Sequence, residues 1–307
     1  MTARSIRGGA AVLAGLLVVA GCSPSPGSGS GSSTAGTPST TPATTVTSVP
    51  GKSTGVGDTS TTRPIVDPAK GKLTGRWMPR RGTPWQWQLS GKLDLTVNAP
   101  IYDIDGAGTT AAQVAALHRR GRRVICYVNV GAYEGFRSDK NRFPAAVLGK
   151  PLEGWPGERW LDIRRIDLLA PIMSARFANC RAKGFDAVEP DNLDGYANGS
   201  GFRLTAANQL RYNRWIAGLA HSHGLSVALK NDVEQVQALE PYFDFAVNEQ
   251  CVEFDECETL LPFIRAGKAV LHVEYGLSKA QFCAKTRVLG FSSMRKPLDL
   301  GPGREPC

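Results

Sequence analysis

From residue 98 onward the chain alternates short apolar runs with longer stretches of helical periodicity. The runs at 98–104, 123–129, 159–163, 185–190, 225–230, 244–249, 269–275 and 289–294 are short and apolar on both faces, as expected of buried parallel strands. The stretches between them carry helix signals. Thr110 with Gln113 and Ser278 with Gln281 have the spacing of a capping box. Tyr212, Ile216 and Leu219 make an inward stripe on a helix spanning about 205–223, and Gly121 and Gly224 stand where helices should stop. Eight strand-then-helix units predict an α/β fold, a (β/α)8 TIM barrel, over residues 75–307.

The first 74 residues follow a different pattern. Arg4 and Arg7 precede an apolar run from Ala10 to Ala20, too short to span a bilayer as a mature helix. The run ends Val19-Ala20-Gly21-Cys22, which resembles a bacterial lipobox. Residues 1–21 are therefore expected to be a lipoprotein signal peptide, with Cys22 the lipidated first residue of the mature chain. Residues 22–74 are dominated by Ser, Thr, Gly and Pro without apolar periodicity, which predicts a disordered tether. The expected location is the outer face of a bacterial cell membrane, held through acyl chains on Cys22.

The net charge of +9 falls to +7 once Arg4 and Arg7 are removed. A basic total would suit nucleic acid, yet no basic run has interleaved aromatics, and "RRGRR" at 119–123 sits at a solvated corner. Nucleic acid is not an expected partner, and a monomer is expected. Six cysteines remain after Cys22, an even number that in an exported chain predicts disulfides. Spacing favours Cys251 with Cys257. The other four leave alternatives open, with Cys126–Cys180 and Cys283–Cys307 as the arrangement put forward. No C-x-x-C pair occurs, and His221 and His223 diverge on a helix, so neither a metal site nor a cofactor is expected.

In such barrels, chemistry sits where strands end and the following loops begin. Acids gather there. Asp103 and Asp105 follow the first expected strand, Glu189 and Asp191 the fourth, Glu249 the sixth, and Glu274 with Tyr275 the seventh; Lys230 and Asn231 follow the fifth. Strand parity puts Glu189 and Asp191 on one face, and Asp103 and Asp105 likewise. A converging acid ring can hold a cation, take a cationic ligand, or run acid/base chemistry at a glycosidic bond. The positions before Gly195 do not match a calcium loop. No G-x-S-x-G elbow or P-loop occurs, which leaves esterase and nucleotide chemistry without support. Trp85 and Trp87, two apart in "TPWQWQLS", are candidates for stacking on sugars.

Several stretches, taken in order, resemble glycoside hydrolase family 114, the endo-α-1,4-polygalactosaminidase family. They are "WQWQL" at 85–89, "VICYVNVGAYE" at 124–134, "GWPGERWLDIR" at 154–164, "FDAVEPDNLDGY" at 185–196, "AHSHGLSVALKN" at 220–231, "DFAVNEQC" at 244–251 and "VEYG" at 273–276. The resemblance implies a (β/α)8 barrel that cleaves α-1,4-linked galactosamine polymers internally, with Asp191 and Glu249 as the catalytic pair. We read Asp191 as the nucleophile of a retaining mechanism and Glu249 as the general acid/base. The expected substrate-binding residues are Trp85, Trp87, Asp103, Asp105, Tyr127, Glu189, Asn192, Lys230, Glu274 and Tyr275; Glu189, the competitor for either catalytic role, stands two residues back from Asp191 on the same face and is expected to sit deeper and to orient. A galactosamine-containing polysaccharide is the expected partner, and the acid ring predicts a preference for free amines. The alternatives are a non-catalytic glycan-binding lipoprotein, or a hydrolase of another α-linked hexose or hexosamine polymer on the same fold.

Overall fold

The computed structural model describes residues 75–307; the expected signal peptide, Cys22 and the tether lie outside them. Strands β1 (Trp85–Gln88), β2 (Ile101–Asp105) and β3 (Arg123–Asn129) are parallel neighbours. The chain then leaves the barrel. It forms a separate antiparallel sheet from β4 (Ala132–Glu134), β5 (Leu148–Pro151) and β6 (Glu158–Leu161), in the order β4-β6-β5. It returns as β7 (Ala187–Asp191), parallel to β3, and continues through β8 (Ser226–Lys230), β9 (Phe245–Glu249), β10 (Val270–Glu274) and β11 (Ser292–Arg295), each parallel to the one before. Eight parallel strands thus curl into the barrel, and a short antiparallel strand, β12 (Glu305–Pro306), edges β11.

The number of barrel strands matches the sequence reading, but one member differs. The run at 159–163 was expected to be the third barrel strand; instead its first residues form β6, in the antiparallel excursion. A short apolar run reports burial and does not say which sheet buries it. The strand that completes the barrel is β1, whose alternation of Trp and Gln conceals that all four residues are buried. The glutamines can be buried because their amide NH2 groups are bonded. Gln86 Nε2 donates to the Pro302 carbonyl at 2.7 Å, and Gln88 Nε2 donates to Ser90 and Lys92 carbonyls at 3.1 and 2.9 Å. Gln88 thereby organises the β1–β2 loop, which has no helix.

Helices α1 (Ala111–His118), α2 (Ile166–Lys183), α3 (Ala206–Ser222), α4 (Val236–Leu239), α5 (Leu261–Arg265) and α6 (Lys279–Val288) fill six of the connections. The Thr110 and Ser278 capping boxes form as expected, and Thr205 with Asn208 makes a third. None of the described helices is long and apolar enough to cross a membrane.

Among the described residues no ladder pairs β1 with β11, and the C-terminal segment closes that seam. Leu89 and Ser90 donate their backbone N–H groups to the Leu300 carbonyl, and the Arg304 guanidinium reaches the Trp85 carbonyl at 2.6 Å. Buried Lys296 donates to the carbonyls of Gly301 and Gly303 and folds the segment back on itself. Three disulfides, Cys126–Cys180, Cys251–Cys257 and Cys283–Cys307, fasten β3 to α2, the loop after β9, and α6 to the C-terminus. Trp85 belongs to this seam. It is buried, its indole N–H donates to the Ser292 carbonyl at 2.8 Å, and it stacks on Trp87. Trp85→Ala is therefore expected to cost about 3–5 kcal/mol in chemical denaturation, as large core aromatics do. An unchanged midpoint with weakened sugar binding would instead return Trp85 to the site.

Candidate active site

Strands β7, β8 and β9 end on Asp191, Lys230 and Glu249. Each is followed by a residue in the left-handed region: Asn192 (φ 61), Asn231 (φ 48) and Gln250 (φ 61). The left-handed turn takes the chain sharply away from the strand, and asparagine tolerates it better than most residues. The turn after Asp191 is also crowded. A Cβ on Gly131 would come within 1.7 Å of the Asn192 carbonyl, while Val130 and Gly131 both donate N–H bonds to the Asp191 carbonyl. Only glycine lets the β3–β4 backbone pass so close.

Lys230 stands between the acids. Its ammonium lies 2.7 Å from Asp191 Oδ1, 3.1 Å from Glu249 Oε2 and 3.6 Å from Glu189 Oε1, and it faces the Trp87 ring at 5.1 Å. The Tyr127 hydroxyl donates to Asp191 Oδ2 at 2.8 Å, and the Asn192 amide reaches the same oxygen at 3.3 Å. Burial alone would raise the Asp191 pKa, but Lys230, Tyr127 and the Asn192 backbone N–H together hold it below the ordinary carboxylate value. Glu249 accepts from the Asn231 amide at 3.0 Å and is bonded through Oε1 to the Tyr275 hydroxyl. Asn231 Oδ1 in turn accepts the Glu249 backbone N–H at 3.0 Å, which fixes the strand end. Burial, with the adjacent acids, keeps the Tyr127 and Tyr275 hydroxyls protonated; against the cost of burial, Asp191 and Glu249 keep Lys230 charged.

A cavity of about 520 Å³ opens over this group. Of the residues expected at the site it brings together Trp87, Asp105, Tyr127, Asp191, Asn192, Lys230, Glu249 and Tyr275. Trp85, Asp103, Glu189 and Glu274 do not line it. Trp85 lies in the seam, and Asp103 and Glu189 are wholly buried below the floor. Glu274 is also wholly buried. It accepts the Val252 N–H at 2.8 Å and lies 3.0 Å from His272 Nε2, so it anchors the disulfide loop that follows Glu249. Asp105 is held by Arg137 at 2.8 Å and by the Gly108 N–H at 2.6 Å, in the wall of the cavity.

The excursion supplies residues the sequence reading left out: Glu134, Glu158 and Trp160 from its strands and Phe136, Arg137 and Trp155 from the turns between them. Phe136 and Trp155 are 64% and 49% exposed, unusual for such side chains and placed at the cavity. Glu134 and Glu158 face each other across the β4–β6 pair. Burial, then Glu134 and Asp191, pushes Glu158 up to about 7, and burial, then Asp191, pushes Asp194 up to about 6. The signal was present in "GERW", where Glu158 and Trp160 alternate onto one face. Among the described residues, the one group of side chains close enough to share a metal ion is Cys251, Cys257 and His272, and both sulfurs are joined in the disulfide.

A family profile for glycoside-hydrolase family GH114 matches residues 67–307. The structure of Aspergillus fumigatus Ega3 in complex with galactosamine is 36% identical, with a TM-score of 0.73, covering 77% of this chain and 100% of that one. The glycoside hydrolase domain of PelA from Pseudomonas aeruginosa is 14% identical, with a TM-score of 0.56, covering 71% and 95%, and shares the fold. No curated protein matches in a sequence comparison.

Lys230 neutralises a carboxylate group that could not otherwise stay ionised. Lys230→Met should cost about 3–5 kcal/mol at pH 7, the penalty for stranding buried charges. The cost should shrink toward about pH 3, because a lowered Asp191 pKa contributes stability above the unfolded value and loses it as the carboxylate is protonated. Denaturant titrations of both proteins at the two pH values check this; an equal penalty at both would reject it.

Proposed function

The chain belongs to glycoside-hydrolase family GH114, and on that premise we propose that it cleaves α-1,4-linked galactosamine-containing polysaccharide internally, with retention, using Asp191 as nucleophile and Glu249 as general acid/base. The observation that carries this reading is the pairing of Asp191 and Glu249 through one ammonium. With Lys230 Nζ at 2.7 and 3.1 Å from them, Asp191 Oδ1 and Glu249 Oε2 are within about 6 Å of each other. Retaining enzymes hold their carboxyls about 5–5.5 Å apart, whereas inverting ones leave about 6.5–9.5 Å for a water.

In the first step an Asp191 oxygen bonds to the anomeric carbon, the glycosidic C–O bond breaks, and Glu249 gives its proton to the leaving oxygen. In the second, water attacks the glycosyl–Asp191 ester, Glu249 takes a proton from it, and Asp191 leaves as carboxylate. The depressed pKa of Asp191 suits the first role. Glu249 meets in Tyr275 a hydroxyl that can accept a hydrogen bond from a protonated Oε1 as well as donate one to it. Phe136 and Trp155 offer apolar faces to neighbouring sugar rings, and Glu158 and Asp194 offer negative charge to free amines. The mature protein is read as a monomer held to the outer face of a cell membrane by acyl chains on Cys22.

Asp191→Asn and Glu249→Gln should leave the fold intact and each remove at least about 99% of turnover. Azide should partly restore Asp191→Gly on an activated substrate and yield the glycosyl azide of inverted configuration; product of retained configuration would make Asp191 the acid/base of a retaining enzyme that uses another nucleophile. Deacetylated galactosamine polymer should be cut faster than fully acetylated polymer, read as oligosaccharide mass. Detergent partitioning of wild type and Cys22→Ala tests the anchor, since recovery of both in the aqueous phase would remove it.

A further inference from the structure

Two carboxyl groups that the sequence places at the site lie beneath it. Asp103 and Glu189 are wholly buried, neither lines the catalytic cavity, and none of their four oxygens receives a hydrogen bond from a protein N–H or hydroxyl group. Asp103 faces Glu189, Lys230 and Asp191. Glu189 faces Asp103 from β2, Lys230 from β8 at 3.6 Å and Asp191 on its own strand, with the hydroxyls of Tyr127 and Tyr275 nearby. Two adjacent carboxylates here would repel with little to screen them. One shared proton resolves this, because the protonated group donates to the other and a single negative charge remains. Burial pushes Asp103 up to about 7, and burial together with the Asp103 charge pushes Glu189 well up.

We propose that Asp103 and Glu189 hold one proton between them and act as positioning residues, setting how the Lys230 ammonium is divided between this buried layer and the pair Asp191–Glu249. The proposal rests on the reading of Asp191 and Glu249 as the catalytic pair. With one negative charge below it, Lys230 stays between Asp191 and Glu249. A second negative charge would draw it down toward Glu189. With no charge below, it would bind Asp191 too firmly for a nucleophile.

The full-length protein and the variants Asp103→Asn, Glu189→Gln and the double variant test this. Either single amide keeps one carboxylate and replaces the shared proton by an N–H donor. Each should fold, keep kcat within about threefold at about pH 8, where Asp103 has ionised and Glu189 keeps its proton, and leave KM unchanged. A carboxyl pKa raised by folding gives stability that is full below the ordinary carboxylate value; the part carried by Asp103 is lost as pH rises through about 7, and the part carried by the shared proton on Glu189 only at higher pH. Thermal unfolding of wild type should show that loss, and either single variant should flatten it. The infrared difference between wild type and Asp103→Asn should show a protonated-carboxyl band that persists through neutrality and disappears only at higher pH. The double variant, with no charge under Lys230, should lower kcat at least about tenfold at unchanged KM. Unflattened pH dependence in both single variants, absence of the infrared band, or a rise in KM alone would each overturn the proposal. An active Asp191→Asn enzyme with the band and the flattening intact would support the shared proton and reject the catalytic assignment, so the two failures are separable.

Discussion

One ammonium group, that of Lys230, lets carboxylates from two flanking strands meet at the mouth of the barrel. Asp191 comes from β7 and Glu249 from β9, with β8 between them in the sheet, so the cation sits on the one strand that touches both. Its burial keeps the attraction unscreened, and the Trp87 face covers it from the barrel interior. Trp87 belongs to β1. The geometry at β7–β9 therefore depends on β1 holding its place in the barrel.

That place is secured by the C-terminal segment. Main-chain bonds to Leu300, the Arg304 contact with Trp85 and the Cys283–Cys307 disulfide fasten it across the gap between β11 and β1. The same segment contributes Leu298, Asp299 and Leu300 to the cavity wall. Closure of the barrel and the shape of the site are thus one structural problem. Glu274 makes a comparable link. By holding Val252, it fixes the loop that leaves Glu249 and that Cys251–Cys257 closes.

The sequence made the strand ends legible, because acids recurred at predictable places after apolar runs. It made depth legible for Glu189, expected to sit deeper than Asp191, but not for Trp85 or Asp103. Parity assigns a side chain to a face, but two residues along a strand span about 6–7 Å, enough to separate floor from cavity. Each pair two apart divides in the same way: Trp87 lines the cavity and Trp85 does not, Asp105 does and Asp103 does not, Asp191 does and Glu189 does not. The member nearer the strand's C-terminal end meets substrate space, and the other becomes interior. The displaced third strand has a different cause. An apolar run such as 159–163 records that it is covered, and the long connection from β3 to β7 left room for a second sheet to do the covering.

The excursion also completes what the barrel rim lacks. Strand ends fix carboxylates rigidly, at spacings set by the strands, which suits bond-making at one carbon. They offer little surface for holding a polymer on either side of that carbon. The β4–β6 sheet projects from the rim and brings Phe136, Trp155 and Glu158 to the cavity, attached to the catalytic layer through Gly131 and the Asp191 carbonyl. Bonds to that carbonyl join the sheet that shapes the cavity to the residue that would do the chemistry, so a shift of the excursion reaches Asp191 through two N–H groups. Recognition and reaction are set on different sheets and meet at one peptide oxygen.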